Sequence, residues 1–397
     1  MHSGFKADLI LTHDAEGHQA GAAVPPIFQT STFLFPDFDT LEGCYSGRDE
    51  ADLYSRTGNP TVRVLENKLA QLENGEEAIA FSSGMAAISS SILGLLKSGD
   101  RIVCIRNAYS DAYRLFEILL PRFGIQTEYV DASELTGTCD ILAGASMLFL
   151  ESPTSFVFET LDLKNIAGVA RNKGVVTLMD NSFASPILQN PIDAGIDLVV
   201  HSASKYLSGH SDVVAGCVIG STGLIERIRE TTVPLLGAKL SAMEASLILR
   251  GLRTLAVRVR AHTEAADWIA RKLQSDNRIR KIHRPGVSAP LPETLSGAGG
   301  LFTLELEDAV DIRTFCDALQ LIRLGVSWGG FESLALPAAI ANRQDTGPNA
   351  LNAFGVSKNA VRIFAGLEGA SALLEDIQGA LSAACVGMRV TEGALGG

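Results

Sequence analysis

Short apolar runs recur along the chain, at residues 78–81, 102–105, 147–150, 175–179, 198–200 and 213–219, most of them rich in β-branched side chains. Runs of this length without polar alternation fit strands buried on both faces of a parallel sheet. Between them lie stretches with apolar positions three and four apart. Val62, Leu65, Leu69 and Leu72 share one face of a helix that Asn59 can cap, with Pro60 at its first position and Gly75 as its stop. Ile88, Ile92 and Leu95 mark a second helix, opened by Ser82-Ser-Gly-Met85. Strands alternating with helices predict an α/β fold, a mostly parallel central sheet with helices on both faces. Residues 1–57 show little periodicity and are broken by Pro25, Pro26 and Pro36. A long irregular segment of this kind usually has a job, often packing on another subunit. From 240 to about 274 the pattern is helical. A smaller α+β unit follows, with a strand at 301–306, a helix around 312–321 and a closing helix near 370–384. The expected organisation is an arm at 1–57, a large domain at 58–245 and a C-terminal domain at 246–397.

Composition narrows the function classes. The 397 residues are 46% hydrophobic and 20% charged, which is globular, and the net charge of −12 argues against nucleic acid or an anionic membrane as partner. No apolar run approaches the roughly 20 residues of a membrane span, and the first residues lack a signal-peptide core. Cys44, Cys104, Cys139, Cys217, Cys316 and Cys385 are scattered without a C-x-x-C pair, so reduced cysteines in a cytoplasmic protein are expected. The seven histidines form no ligand-spaced cluster, and no metal site is expected.

The chemistry concentrates in 197–216. The apolar run at 198–200 leads into Ser202, Ser204 and Lys205, and another apolar run follows. A lysine at the carboxyl end of a buried strand stands where open α/β sheets bind ligands, and desolvation would make its amine nucleophilic. A surface lysine beside two capping serines is the plainer reading. Two other strands end in acids, at Glu151 and Asp180, each readable as a helix-leading cap or as a buried carboxylate with a cationic partner. The 82–85 turn has the geometry of a phosphate site, strand to helix N-terminus, or of a simple packing turn. Arg362 inside an apolar strand needs a carboxylate partner. Gly209-His-Ser-Asp-Val213 only imitates a nucleophile elbow, because Val213 stands at the second glycine.

Lysine, strand-end acid, phosphate turn and arginine together match the general pattern for pyridoxal phosphate. Over nearly its whole length the chain resembles the Cys/Met-metabolism pyridoxal-phosphate enzymes, the group of cystathionine γ-synthases, cystathionine β- and γ-lyases and methionine γ-lyases. The resemblance implies pyridoxal-phosphate fold type I, aspartate-aminotransferase-like. The family's S-x-[ST]-K-Y box falls on Ser202-Ala-Ser-Lys-Tyr206, making Lys205 the lysine that carries pyridoxal 5'-phosphate and Ser202 and Ser204 phosphate ligands. The D-N-[ST]-[FW]-A-[ST]-P box falls on 180–186, with Asp180 on the ring nitrogen. Gly84 and Met85 would donate backbone N–H groups to the phosphate, and Tyr109 would stack on the ring. Tyr54 and Arg56 match the Y-S-R box that reaches the neighbouring subunit's phosphate, which implies a homodimer with shared active sites, commonly paired into a homotetramer. Arg362, with Ser327 beside it, matches the arginine that grips the substrate α-carboxylate.

Three departures bear on the substrate. Ser155 replaces an asparagine common in the family, in Ser152-Pro-Thr-Ser-Phe156. Serine there and Ser327-Trp-Gly-Gly330 are similar to some bacterial cystathionine β-lyases. Val326 replaces a glutamate usual in cystathionine γ-enzymes, and Asp111 replaces a cysteine usual in methionine γ-lyases. Asp111 is readable as a cap for a helix beginning near Tyr113 or as a carboxylate facing a cationic distal group of the substrate. The expected function is a lyase acting on a small amino acid such as cystathionine or a homoserine derivative. Lys205 would take the Cα proton, and Tyr109 or Lys205 would protonate a β or γ heteroatom leaving group. The alternatives are a γ-replacement transferase, a non-catalytic regulatory member and an aminotransferase.

Overall fold

The computed structural model describes residues 3–13, 21–135, 140–344 and 347–385. Cys139 lies outside the described residues; the other five cysteines are free thiols. The central sheet has seven strands: β1 (Glu77–Phe81), β2 (Arg101–Ile105), β3 (Gln126–Val130), β4 (Met147–Glu151), β5 (Val176–Asp180), β6 (Leu198–His201) and β7 (Gly216–Gly220). Their order is β1-β7-β6-β5-β4-β2-β3. Six run one way, and β7 is antiparallel to both its neighbours. An antiparallel return needs no crossover helix. The 202–215 connection therefore stays as a loop over the carboxyl ends of β4, β5 and β6, and Lys205 stays with it.

The apolar runs predicted every strand of this sheet except β3. Its residues Gln126-Thr-Glu-Tyr-Val130 are polar and alternate in exposure, because β3 is an edge strand with one solvated face. The helix Pro60–Glu73 is capped as expected, with Asn59 Oδ1 accepting from the Thr61 N–H at 3.0 Å. It ends on Asn74 in the left-handed conformation (φ 59°), not on Gly75. Gly75 is required by packing: a Cβ there would lie 2.4 Å from Ile219 Cγ2.

The 240–274 stretch is two helices, Ala242–Leu252 and Leu255–Leu273. The backbone of Gly251 lies directly on the loop that bears Lys205, where a Cβ would meet the Ser208 carbonyl oxygen at 2.1 Å. Just past the break, Arg258 donates to the carbonyls of Tyr206 (3.0 Å) and Gly251 (2.8 Å). Position 245/246 falls inside the first of these helices. The second runs from the core that holds Tyr206 and Leu207, where it buries Leu255 and Val259, into a separate core, where it buries Ala266, Ile269 and Leu273. That second core covers a five-stranded sheet of order β10-β11-β12-β9-β8, formed by β8 (Ile279–His283), β9 (Leu301–Leu306), β10 (Arg323–Leu324), β11 (Leu334–Pro337) and β12 (Ala360–Phe364). Its other helices are Ile312–Ala318 and Ala370–Ala384.

The N-terminal segment is less irregular than its sequence. Its described residues hold two helices, Ser3–Thr12 and Phe38–Tyr45. Leu11 is buried in the core that holds Val62 and Leu65, which ties the first helix to its own subunit. The rest of the segment leaves large apolar side chains in solvent, with Leu34 92% and Phe38 and Tyr45 each 76% exposed.

Gly216, at the start of β7, packs against the 82–84 turn so closely that a Cβ would sit 2.2 Å from the Ser83 carbonyl oxygen. Backbone cannot move aside as a flexible side chain does. Gly216→Ala is expected to destabilise the fold by about 1–3 kcal/mol in denaturant titration. The control Gly223→Ala, whose Cβ would enter open space, should cost nothing measurable.

Candidate active site

Strand pairing puts two carboxyl groups side by side. Glu151 ends β4 and Asp180 ends β5, the two are register partners, and both are buried. Asp180 Oδ1 accepts the Ser182 N–H at 2.9 Å, and Ser182 Oγ accepts the Ser202 N–H at 2.6 Å, tying the turn after β5 to the turn after β6. Below them lies a buried polar lattice. Glu73 Oε1 contacts His201 Nε2, and Asn181 Nδ2 donates to the same oxygen (2.9 Å) and to the Gln189 carbonyl (2.9 Å). The residues flanking Asp180 and Ser202 are thereby fixed from inside.

Lys205 projects from the turn that follows β6. Its amine lies 4.3 Å from the Trp328 ring centroid and 5.3 Å from that of Tyr109. Trp328 comes from the second domain through a close backbone approach. Gly329 has φ 93°, and a Cβ there would lie 2.8 Å from the Tyr206 nitrogen. Burial lowers the Lys205 pKa, Asp180 and Glu151 pull it partly back, and Arg362 lowers it further.

Tyr109 is held at both ends. Its N–H donates to Glu151 Oε2 at 2.7 Å, and its hydroxyl donates to Asp111 Oδ2 at 3.0 Å. Burial, then the Asp111 charge and hydrogen bond, push the phenol well above its ordinary pKa. Burial and the Asp180 charge push Glu151 up to about 8, against the opposing Tyr109 N–H and Lys205. Glu151 was absent from the sequence-predicted site. The signal was present, an acid closing an apolar strand as Asp180 does, but nothing in one dimension shows that β4 and β5 are neighbours.

The remaining predicted residues fall into four groups. Gly84 and Met85 open the helix Gly84–Leu95, where Ser83 Oγ caps the Ala86 N–H at 3.0 Å. The first N–H groups of a helix have no acceptor within it, so those of Gly84 and Met85 are available to an anion. Ser202 abuts this turn, and a Cβ on Gly84 would lie 3.0 Å from the Ser202 Cβ. The Ser204 hydroxyl, by contrast, is engaged with Ala215, donating to its carbonyl (3.1 Å) and accepting its N–H (2.9 Å). Arg362, on β12, donates to the Ser327 carbonyl at 3.3 Å and lies 5.3 Å from the Phe156 ring centroid. Among the described residues no carboxylate forms an ion pair with it, and burial brings its pKa down to about 10. Ser155 contributes a hydrogen bond to Glu151, and its N–H donates to the Asn107 carbonyl at 2.7 Å.

Asp111 neither caps a helix nor waits for a cation. It sits in the first turn of Ser110–Arg114 and forms an ion pair with Arg114 at 3.0 Å. The Asp111 side chain is 42% exposed, and Val326 is 76% exposed. Tyr54 and Arg56 lie in a separate cleft of about 360 Å³, lined also by Thr30, Gly237, Lys239 and Ser241. There the Arg56 guanidinium lies 5.7 Å from the Tyr54 ring and donates to the Pro234 carbonyl.

A desolvated lysine amine, a strand-end carboxylate, an aromatic ring beside them and free amides at a helix start are a donor set that fits pyridoxal phosphate. The site thus defines a pyridoxal-phosphate enzyme. Residues 7–382 match the family model "Cys/Met metabolism PLP-dependent enzyme", and the chain belongs to that family. An L-methionine gamma-lyase from Pseudomonas putida is 37% identical over 94% of this chain and 95% of its own length. A cystathionine beta-lyase from Lactococcus lactis is 34% identical over 96% and 97%. The solved structure of a cystathionine gamma synthase from Xanthomonas oryzae in complex with cystathionine superposes with a TM-score of 0.88 at 34% identity, covering 95% of this chain and 98% of that one.

The raised Glu151 pKa has a stability consequence. The native state holds this proton up to about pH 8, whereas the unfolded chain releases it near 4.5. Stability from this group is therefore full below about 4.5 and is lost as pH rises towards about 8. Glu151→Gln carries no such proton. Its Tm relative to wild type is expected to climb across that pH range; a constant difference would mean that Glu151 is ionised in the fold.

Proposed function

We propose that the protein is a pyridoxal-phosphate-dependent lyase that eliminates a β- or γ-heteroatom leaving group, a carbon–sulfur bond or its relative, from a small amino acid such as cystathionine or a homoserine derivative. The observation that carries this reading is the Lys205 amine, desolvated against Tyr109 and Trp328, with Asp180, Glu151 and Arg362 near enough to act on its charge.

Lys205 and Asp180 would hold the cofactor, with Gly84, Met85 and Ser202 around its phosphate, while the Ser204 hydroxyl, which already donates to the Ala215 carbonyl, braces the loop instead. Bound pyridoxal phosphate supplies an electron-accepting ring for the charge released at Cα. Arg362, which forms no ion pair with a carboxylate among the described residues, takes the substrate α-carboxylate, helped by Ser327 and Ser155, and so fixes which Cα bond faces Lys205. The depressed Lys205 pKa leaves more of the amine unprotonated near neutrality, as a general base for the Cα proton requires. The Tyr109 phenol keeps its proton and is the acid for the departing heteroatom, and Lys205 is the alternative donor. Trp328 closes the amine's other side against water.

The methionine gamma-lyase and cystathionine beta-lyase relatives favour elimination. The likeness to a cystathionine gamma synthase keeps γ-replacement as the second reading, since both outcomes share every step up to loss of the leaving group. Assay of the purified enzyme against sulfur and oxygen amino acids separates them. Pyruvate marks β-elimination, 2-oxobutyrate marks γ-elimination, and a new thioether formed only with an added thiol marks replacement. Lys205→Ala should abolish every product, and borohydride should fix the pyridoxyl group on Lys205; an adduct on another lysine would refute the assignment.

The exposed apolar arm and the Tyr54–Arg56 cleft, apart from the subunit's own Lys205, support a homodimer in which each arm completes the partner's site, with pairing of dimers into a tetramer. Mixing Arg56→Ala with Lys205→Ala subunits should recover up to about a quarter of wild-type activity, because one class of hybrid site carries neither lesion. No recovery despite demonstrated subunit exchange would place Arg56 in its own subunit's site.

A further inference from the structure

We propose that Asp111 is the proton acceptor behind Tyr109, so that the phenol and the carboxylate form a two-proton relay from the reaction centre to water. This rests on the preceding reading, in which Tyr109 faces the reacting substrate.

Three observations carry it. The Tyr109 ring is pinned at its backbone by Glu151 and at its hydroxyl by Asp111, so the phenolic oxygen has one fixed proton acceptor. The opposite end of that acceptor reaches solvent, with the Asp111 side chain 42% exposed and that of its partner Arg114 27% exposed. Lys205 lies 5.3 Å from the ring on the buried side. Tyr109 thus spans the boundary between an enclosed amine and an open carboxylate.

The charged groups around the phenol are Asp111, Asp180 and Arg362, with Lys205 over the ring and Glu151 behind the backbone. Asp111 alone among them is hydrogen-bonded to the hydroxyl. With its proton held by a carboxylate, the phenol does not become a free phenolate near neutrality. It acts as a base only by losing one proton as it gains another. A substrate arrives as an ammonium ion and must shed a proton before its nitrogen can attack a carbonyl. As the N–H bond breaks, its electron pair stays on nitrogen and its proton forms a new O–H bond on Tyr109. The original Tyr109 O–H bond breaks in the same step, and that proton forms an O–H bond on Asp111, which then releases it to water. Run in reverse, the relay delivers a proton to the leaving heteroatom. Arg114 balances the Asp111 charge and fixes its second oxygen, so the first stays turned to the phenol.

Asp111→Asn keeps an oxygen for the hydrogen bond but cannot take a proton. The expected result is a fall of about a hundredfold in kcat with KM within about twofold. Asp111→Glu should restore part of the rate. A second readout is independent of turnover. Ultraviolet difference titration against Tyr109→Phe should show Tyr109 ionising at lower pH in Asp111→Asn than in wild type, because the neighbouring negative charge is gone. In wild type, the rate in mixed light and heavy water should curve with deuterium fraction, the sign of two protons in flight. Asp111→Asn should be linear.

A kcat within about twofold of wild type together with an unmoved Tyr109 titration would reduce Asp111 to a surface partner of Arg114. If Asp111→Asn does not fold, the wild-type dependence decides alone, and a straight line overturns the relay. Full turnover by Lys205→Ala or Tyr109→Phe would instead overturn the reading beneath it.

Discussion

The molecule depends on holding three ionisable groups, Lys205, Asp180 and Glu151, in one desolvated place. Parallel pairing of β4 and β5 sets the backbones that carry the two carboxyl groups one strand spacing apart, roughly 4.8 Å. Like charges so placed out of water cannot both persist unless a cation lies against them. One carboxyl is therefore pushed towards keeping its proton, and the Lys205 amine is at once depressed by burial and supported by its acidic neighbours. Much of the surrounding structure serves to maintain that unfavourable juxtaposition.

The maintenance comes from polar side chains buried beneath the site rather than from apolar packing alone. The Glu73, His201 and Asn181 side chains, with the Gln189 backbone carbonyl, brace the strand ends. From the other domain, the fully buried Arg284 pairs with Asp267 and donates to the carbonyls of Ala298, Gly299 and Leu301. That segment in turn receives the Tyr206 hydroxyl as acceptor for the Gly300 N–H at 2.7 Å. Tyr206 follows Lys205 directly, so the C-terminal domain grips the lysine's loop through one side chain while Gly329 presses on its backbone. The two sheets thus meet in one packed seam, where Leu301, Trp328 and Phe364 join the core that holds Tyr206, and close positioning is what proton transfer over a few tenths of an ångström requires.

The residues proposed for the substrate end are placed differently. Ser155, Asp111 and Val326, where the chain departs from familiar patterns, lie in turns or in a five-residue helix rather than at strand ends, and Val326 is largely solvated. Residues at such positions can change without disturbing the charge arrangement below.

Strand-like runs and helix caps were legible in the sequence because each rests on local chemistry, apolar length or cap type; Lys205, Asp180, Gly84 and Arg362 stood out there as candidates, and their expected roles came from the family resemblance. The polar edge strand β3, the break at Gly251 and the helix Ser3–Thr12 were not, since each is decided by what lies beside it in space. Glu151 makes the distinction plainest. As a residue it is one more acid closing a strand, and only the adjacency of β4 and β5 turns it into a proton-holding neighbour of Asp180. Asp111 makes it again from the other side. Its type and position suggested a cap or a partner for a substrate cation, whereas the fold gave it Arg114 and the Tyr109 hydroxyl. Local sequence fixed which groups are present; long-range pairing decided which of them share a proton, because electrostatic coupling depends on separation in space and on the water that folding removes.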